Sequence, residues 1–171
     1  MNFSDLLFSR QRLIAGFNRM TDIVDKATRS RIMPGIGGKN TKREILIRKG
    51  LHALGFRYRL HSPKLPGKPD IILPRYRAII LINGCFWDAH NCHLFKWPFT
   101  RKEFWEAKIL SNKKRDHENL KQYSEAGWKT LVIWECALKG KTKLPVKSVF
   151  DLIVHWIIYE RDNFIIQGKS R

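Results

Sequence analysis

Apolar positions along this chain fall into blocks with different periods, and the periods predict its elements. From Thr41 onward, Ile45, Ile47, Leu51 and Leu54 recur at broadly helical spacing; Thr41 and Glu44 have capping-box spacing, and Gly55 closes the run. This predicts a helix over 42–54. Phe56-Arg57-Tyr58-Arg59-Leu60 alternates like a strand and leads into a proline-rich turn from Pro63 to Pro69. Two apolar strands are predicted at 69–73 and 77–83, joined by Pro74-Arg75-Tyr76. Residues 84–98 are too irregular for a regular element. Residues 101–126 are polar and free of glycine and proline, with Gly127 placed to end the longest helix. Trp128 to Glu135 reads as a buried strand, and Val146, Phe150, Ile153 and Ile157 stripe a last helix. The order α-β-ββ-α-β-α describes a mixed α/β domain without internal repeats.

Two flanks lack this periodicity. Residues 1–24 form an N-terminal extension, 25–41 a basic, glycine-rich arm, 42–160 the folded domain and 161–171 a C-terminal tail. A length of 171 residues with 43% hydrophobic content supports one real core. Charge changes the picture more: 33 Lys+Arg against 15 Asp+Glu give a net +18, a field that draws in polyanions. Nucleic acid is the expected partner. Asn83, Asp88, Asp151 and His155 interrupt the richest apolar segments, so no membrane span is expected. Arg10 and Arg12 break the N-terminal Leu6-Leu7-Phe8 stretch without a signal cleavage site, and a cytoplasmic protein is expected.

Three cysteines cannot all pair with one another, so a disulfide framework is disfavoured. Cys85, Cys92 and Cys136 with a histidine instead make a Cys3His set suited to tetrahedral structural zinc. The bland alternative is three buried thiols and a solvated histidine. His90 and His93 flank Cys92 closely enough that spacing alone leaves either as the fourth ligand. Asp70 opens an apolar strand directly after Pro69. A carboxylate there is costly to bury unless a cation or hydrogen bonds meet it, although a turn aspartate after proline is common.

Asp25-Lys26-Ala27-Thr28-Arg29-Ser30, Leu65-Pro66-Gly67-Lys68-Pro69-Asp70, Asn83-Gly84-Cys85-Phe86-Trp87, Phe104-Trp105 and Trp134-Glu135-Cys136-Ala137-Leu138 occur in this order. Together, over about residues 25 to 158, they resemble the very-short-patch repair (Vsr) endonucleases. The resemblance implies a restriction-endonuclease-like (PD-(D/E)XK type) α/β fold. It also implies Mg2+-dependent nicking of double-stranded DNA 5′ of the thymine in a T:G mismatch, by a monomer that mismatch-repair proteins can assist. By motif, Asp70 would hold Mg2+ with the backbone carbonyl of Ile82, and Cys85, His90, Cys92 and Cys136 would hold zinc. Phe86, Trp87 and Trp105 would be an aromatic wedge beside the mismatch, Met33 would press from the minor groove, and Lys108 and Asn112 would read base edges. For each aromatic, core packing is the ordinary alternative.

The chain departs from that family at two places, where the family has histidines directly before Gly-Cys and directly after Phe-Trp. Asn83 and Asp88 stand there instead. Asn83 can donate to a phosphate but cannot shuttle a proton, whereas Asp88 can orient water, act as a weak base or bind a second Mg2+. Glu44 would complete the acidic site from the first helix, or serve only its cap. No acid-x-Lys element follows Asp70 on the next strand; Glu106-Ala107-Lys108 resembles one but falls on the long helix. Rival readings are a nicking endonuclease of the same fold without T:G preference, a catalytically weakened mismatch-binding protein, and a zinc-ribbon RNA-binding protein.

Overall fold

A computed structural model describes residues 39–169; the extension 1–24, most of the 25–41 arm and Met33 lie outside the described residues. The first helix, α1 (Lys42–Ala53), begins where the sequence predicts. Thr41 caps it, its side chain accepting from the Glu44 N–H while the Glu44 carboxylate receives the Thr41 N–H. Such a cap stabilises by about 1 kcal/mol. At the other end the chain turns through Gly55 at φ 86°, with Gly55 N–H donating to His52 O and Phe56 N–H to Leu51 O. That pair of bonds is a Schellman motif, and the left-handed residue it needs is why glycine sits there. The long helix α2 (Lys102–Glu125) ends in the same way at Gly127, φ 72°.

Four strands follow one another across a single sheet in the order β1 (Ile71–Leu73), β2 (Ala78–Asn83), β3 (Lys129–Trp134), β4 (Phe164–Ile166). A 3-10 turn at Pro74–Tyr76 reverses β1 into antiparallel β2, with Ile71 opposite Ile80. The helix α2 carries the chain from β2 to parallel β3, with Ile80 beside Leu131. A short α3 (Glu135–Leu138) and then α4 (Val146–Tyr159) lead to β4, also parallel to β3.

Side-chain alternation along the strands divides the interior. Ala78, Ile80, Leu131 and Ile133 pack with Ile47 and Leu51 of α1 and Val149, Ile153 and Trp156 of α4. Each large side chain fully buried here contributes about 1.5–3 kcal/mol. The alternate residues Leu81 and Val132 face a cleft beside Asn119, Leu120 and Tyr123 of α2. The sheet therefore has α1 and α4 on one face and α2 on the other. Among the described residues, no helix is long and apolar enough to cross a membrane.

Two expectations change. The alternating stretch 56–60 makes only an isolated antiparallel bridge between Arg59 and Ile72. Buried Phe56 and the Tyr58 O–H···O=C bond to Arg48 tie that stretch to α1, and beyond the bridge His61, at φ 46°, keeps a single bond to the segment before β1, its N–H donating to Pro69 O at 3.1 Å. The expected tail after residue 160 instead contains β4, which extends the sheet, and the segment that follows it.

Candidate functional site

Strand direction brings the chemistry together. The C-terminal ends of parallel β2, β3 and β4 share one edge of the sheet, and the N-terminus of antiparallel β1 lies at that same edge. Asn83 and Cys85 leave β2, Glu135 and Cys136 leave β3, Gln167 and Gly168 leave β4, and Asp70 enters β1 there. Such an edge is the general ligand-binding position of open α/β sheets.

On one side the turn after β2 gathers Cys85, His90 and Cys92 against Cys136, with one ligand atom from each within 4.8 Å of the others. The turn is closed by His90 N–H donating to Cys85 O and Cys92 N–H to His90 O. Cys136 Sγ and His90 Nδ1 are 3.7 Å apart, close to the roughly 3.6 Å edge expected between sulfur and nitrogen on tetrahedral zinc. His90 Nε2 lies 3.1 Å from Gln167 Oε1, and in the tautomer that donates there from Nε2 the Nδ1 lone pair faces the sulfurs. The ring stacks on Trp134 at 4.1 Å, and the Gly168 N–H donates to Cys136 Sγ at 3.3 Å. A β-carbon on Gly168 would collide with Thr142 Oγ1 and meet Cys136 O at 2.7 Å, so the segment after β4 closes in only as glycine. Burial raises the Cys85 and Cys136 thiols above their ordinary pKa, an unfavourable setting for thiolates that a divalent cation reverses. The donor set fits a soft, tetrahedral metal. His93 lies outside it, its Nε2 accepting the Lys141 N–H.

On the other side Asp70 faces a cleft of about 160 Å³ with Asn83, Asp116, Asn119 and Tyr123. Its Oδ2 accepts the Ile82 N–H at 2.8 Å. Burial first, and also the charge of Glu44, push the Asp70 pKa above the usual carboxylate value, while the Ile82 N–H and the charges of His61 and Arg48 pull it back. The register places Ile82 two residues beyond Ile80, which pairs with β1. A residue in a strand points its N–H and C=O to the same side, so the Ile82 carbonyl faces the Asp70 side past the end of β1. A half-buried carboxylate beside a strand-end carbonyl suits a hard, oxygen-seeking cation.

Glu44 is buried and fully engaged. Its oxygens receive the Asn40 N–H at 3.0 Å, the Thr41 hydroxyl at 2.9 Å and Arg48 Nη2 at 2.7 Å. It therefore acts on Asp70 through its charge while its hydrogen bonds hold the start of α1. Asp88, on the turn after β2, faces the Asp116 carboxylate of α2; burial and then Asp116 push its pKa up to about 6. One Asp88 oxygen is buried without a hydrogen-bond partner among the described residues.

Phe86, Trp87 and Trp105 form one cluster, with Phe86 5.3 Å from Trp87 and 5.1 Å from Trp105 between ring centroids. Trp87 remains 38% exposed, so this is a surface cluster and not the interior. Lys108 is exposed on the same helix as Trp105. Asn112 is placed differently from a base-reading side chain: it is buried, and its amide donates to the Trp87 carbonyl at 3.1 Å. It holds the turn that carries the aromatic rings.

A family model described as DNA mismatch endonuclease Vsr matches residues 21–94. The DNA mismatch endonuclease Vsr of Escherichia coli (strain K12) is 41% identical over 141 residues, 82% of this chain and 90% of the relative. The chain belongs to the Vsr family. The type II nicking enzyme V.NmeAIP of Neisseria meningitidis is 43% identical over 122 residues, 71% of this chain and 87% of its own. The type II nicking enzyme V.XorIIP of Xanthomonas oryzae pv. oryzae is 35% identical over 134 residues, covering 77% and 98%. As a Vsr-family protein the chain is a strand-specific DNA endonuclease.

Several contributors at this Vsr site escaped sequence reasoning. Glu135 receives the Cys85 N–H at 3.3 Å and Arg43 Nη1 at 2.8 Å, tying the metal-candidate turn to α1. Gln167 and Gly168 orient His90 and Cys136 from a segment expected to be a tail. Asp116 carried a faint signal: with Ile109, Asn112 and Tyr123 it follows the inward stripe of an otherwise basic helix.

Proposed function

We propose that this enzyme nicks one strand of double-stranded DNA on the 5′ side of the thymine of a T:G mismatch, as in very-short-patch repair of deaminated 5-methylcytosine. The observation that carries the proposal is the linkage of the acid cleft to the aromatic cluster through α2. Asn112 anchors Trp87, and one helical turn later Asp116 enters the cleft that contains Asp70. A wobble pair is cheap to unstack, so rings entering beside it trade a few kcal/mol of lost stacking for new contact. That entry would present the adjoining phosphate to Asp70.

Asp70 and the Ile82 carbonyl would hold Mg2+, with Asn83 donating to a phosphate oxygen. When bound, the ion supplies charge neutralisation at the scissile phosphate and the leaving oxygen. Asp88 orients or deprotonates the attacking water, in the position where the family resemblance implies histidine, and Asp116 faces it. Glu44 supports this site through its charge and the α1 cap. Cys85, His90, Cys92 and Cys136 would hold structural zinc, which ties the turn bearing Phe86 and Trp87 to the end of β3. The antiparallel β1–β2 pair continued by parallel β3, with an acid at the start of β1, supports a restriction-endonuclease-like core. The strand after Asp70 carries no acid-x-Lys pair.

The nicking enzymes among the relatives favour a second reading, a nicking endonuclease of the same fold without T:G preference. Cleavage of end-labelled T:G and T:A duplexes in Mg2+ and in EDTA tests both. The proposal requires a metal-dependent cut in one strand of the T:G duplex only; metal-dependent nicking of both duplexes supports the second reading.

A further inference from the structure

The proposed wedge uses three rings, yet the aromatic surface continues past them. Phe95 lies 6.3 Å from Phe86 and 5.0 Å from Trp97, in the loop that leads to α2. Trp97 is 44% exposed and Phe99 is 83% exposed, the most exposed large apolar side chain among the described residues. Neither is accounted for by the core, by the metal-candidate turn or by the acid cleft. Around them the segment reads Lys96-Trp97-Pro98-Phe99-Thr100-Arg101-Lys102, with no acidic residue between Ala89 and Lys102. At the end of this run the Arg101 guanidinium lies 4.3 Å from the Phe104 ring centroid, and Phe104 in turn packs 5.3 Å from Trp105. Trp97 is thus joined to the wedge through Phe95, and Phe99 stands two residues further along the same cationic segment, before Arg101 and Phe104 rejoin the wedge at Trp105.

Charge complementarity narrows what covers it. A second copy would bring the same net positive charge, and an ordinary apolar partner has no use for cations set between rings. Unpaired nucleotides satisfy both features, because bases stack on aromatic faces in any sequence and phosphates meet lysine and arginine. Paired DNA does not, since its base faces are already stacked.

We propose that Trp97 and Phe99 form a stacking platform for unpaired nucleotides of the cut strand next to the wedge. This rests on the reading that Phe86, Trp87 and Trp105 face DNA, and it assigns the loop before α2 a task separate from cleavage: holding a single-stranded end. Neither residue belongs to the cleavage or metal machinery.

The test uses the full chain and three fluorescent probes: a short single strand, an intact T:G duplex, and the same duplex with unpaired nucleotides beside the mismatch. Trp97→Ala, Phe99→Ala and the double variant are compared with wild type by anisotropy, and nicking of the intact duplex is followed in parallel. In the double variant, affinity for the single strand and the partly unpaired duplex is expected to fall about 5- to 100-fold per lost stack. Affinity for the intact duplex and its nicking rate are expected to remain unchanged, as is the melting curve. Wild-type affinity of the double variant for all three probes would overturn the platform, as would an equal loss on all three. Concentration-dependent self-association that the double variant abolishes would assign the surface to a second copy and also overturn it. If wild type fails to nick T:G but the single-strand loss persists, the cleavage reading falls and the platform stands.

Discussion

The two sides of the sheet edge where β2 and β3 end make opposite use of hydrogen bonds. At the Cys/His cluster the outer positions are occupied: Gln167 on His90, the Gly168 N–H on Cys136, the Glu135 carboxylate on the Cys85 N–H, and Trp134 stacked on the imidazole. At the acid cleft and the turn beside it, Asp70 and Asp88 are raised above the ordinary carboxylate pKa, one Asp88 oxygen is buried without a partner among the described residues, and the Trp87 ring is partly exposed. The first arrangement is that of a site whose geometry is meant to persist. The second is that expected of a site whose remaining partners would arrive with substrate and cation, as the proposed function requires. Placing them side by side lets the cluster fix the turn that carries Phe86 and Trp87 and, in the proposed reading, leaves the chemistry to the open cleft.

The largest effect should come from the open side. Asp70→Ala is expected to lower nicking by at least about a thousandfold, since several kcal/mol of charge stabilisation depend on that carboxylate. Binding to mismatched duplex should survive or tighten, because a charge that repels phosphate is gone. Single-turnover cleavage and anisotropy measure the two separately; wild-type rates would place the cleavage site elsewhere.

Damage to the closed side should spread to the fold. Cys136→Ser is expected to lose the bound metal and to lower Tm by about 10 °C or more, with poor solubility, because binding free energy at a structural site is folding free energy. Elemental analysis of protein purified without chelator checks the premise. A protein without zinc whose melting is unaffected by Cys136→Ser would erase the contrast between the two sides.

The helices were the most legible part of the sequence, because caps are local. Thr41 with Glu44, then Gly55 and Gly127, mark ends that short-range bonds enforce. Strands β1 to β3 were legible as apolar runs bounded by turn residues. The alternation at 56–60 was over-read because a period of two states which residues face inward, not whether a neighbour pairs for more than one bridge. β4 was missed because Phe164-Ile165-Ile166 is three residues long and owes its existence to the β3 edge beside it. The four cluster ligands were legible as chemistry, and the choice of His90 over His93 came with the family motif. Arg43, Arg48, Glu135 and Gln167 were not legible, since an ordinary charged or amide side chain acquires its partner only when distant elements meet.

Smaller effects sharpen the contrast on the open side. Trp87→Ala and Trp105→Ala are each expected to weaken binding to T:G duplex by about 5- to 100-fold, with a smaller loss on the matched duplex, because only a destabilised step admits a ring cheaply. Competition binding with the two duplexes measures this, and equal losses would return these rings to ordinary packing. Asp88→His should have the least effect, a gain of up to about tenfold in single-turnover cleavage near neutral pH, since imidazole is the better-matched base and Asp116 is in place to orient it. A large loss accompanied by a higher Mg2+ requirement would make Asp88 a cation ligand instead.

The most direct test of the central claim is strand-resolved, single-turnover cleavage of otherwise identical T:G and T:A duplexes, each strand end-labelled in turn, in Mg2+. One cut on the 5′ side of the mismatched thymine, confined to its strand and absent from the T:A duplex, is the predicted result. Cleavage of the T:A duplex at the same step and the same rate would contradict it.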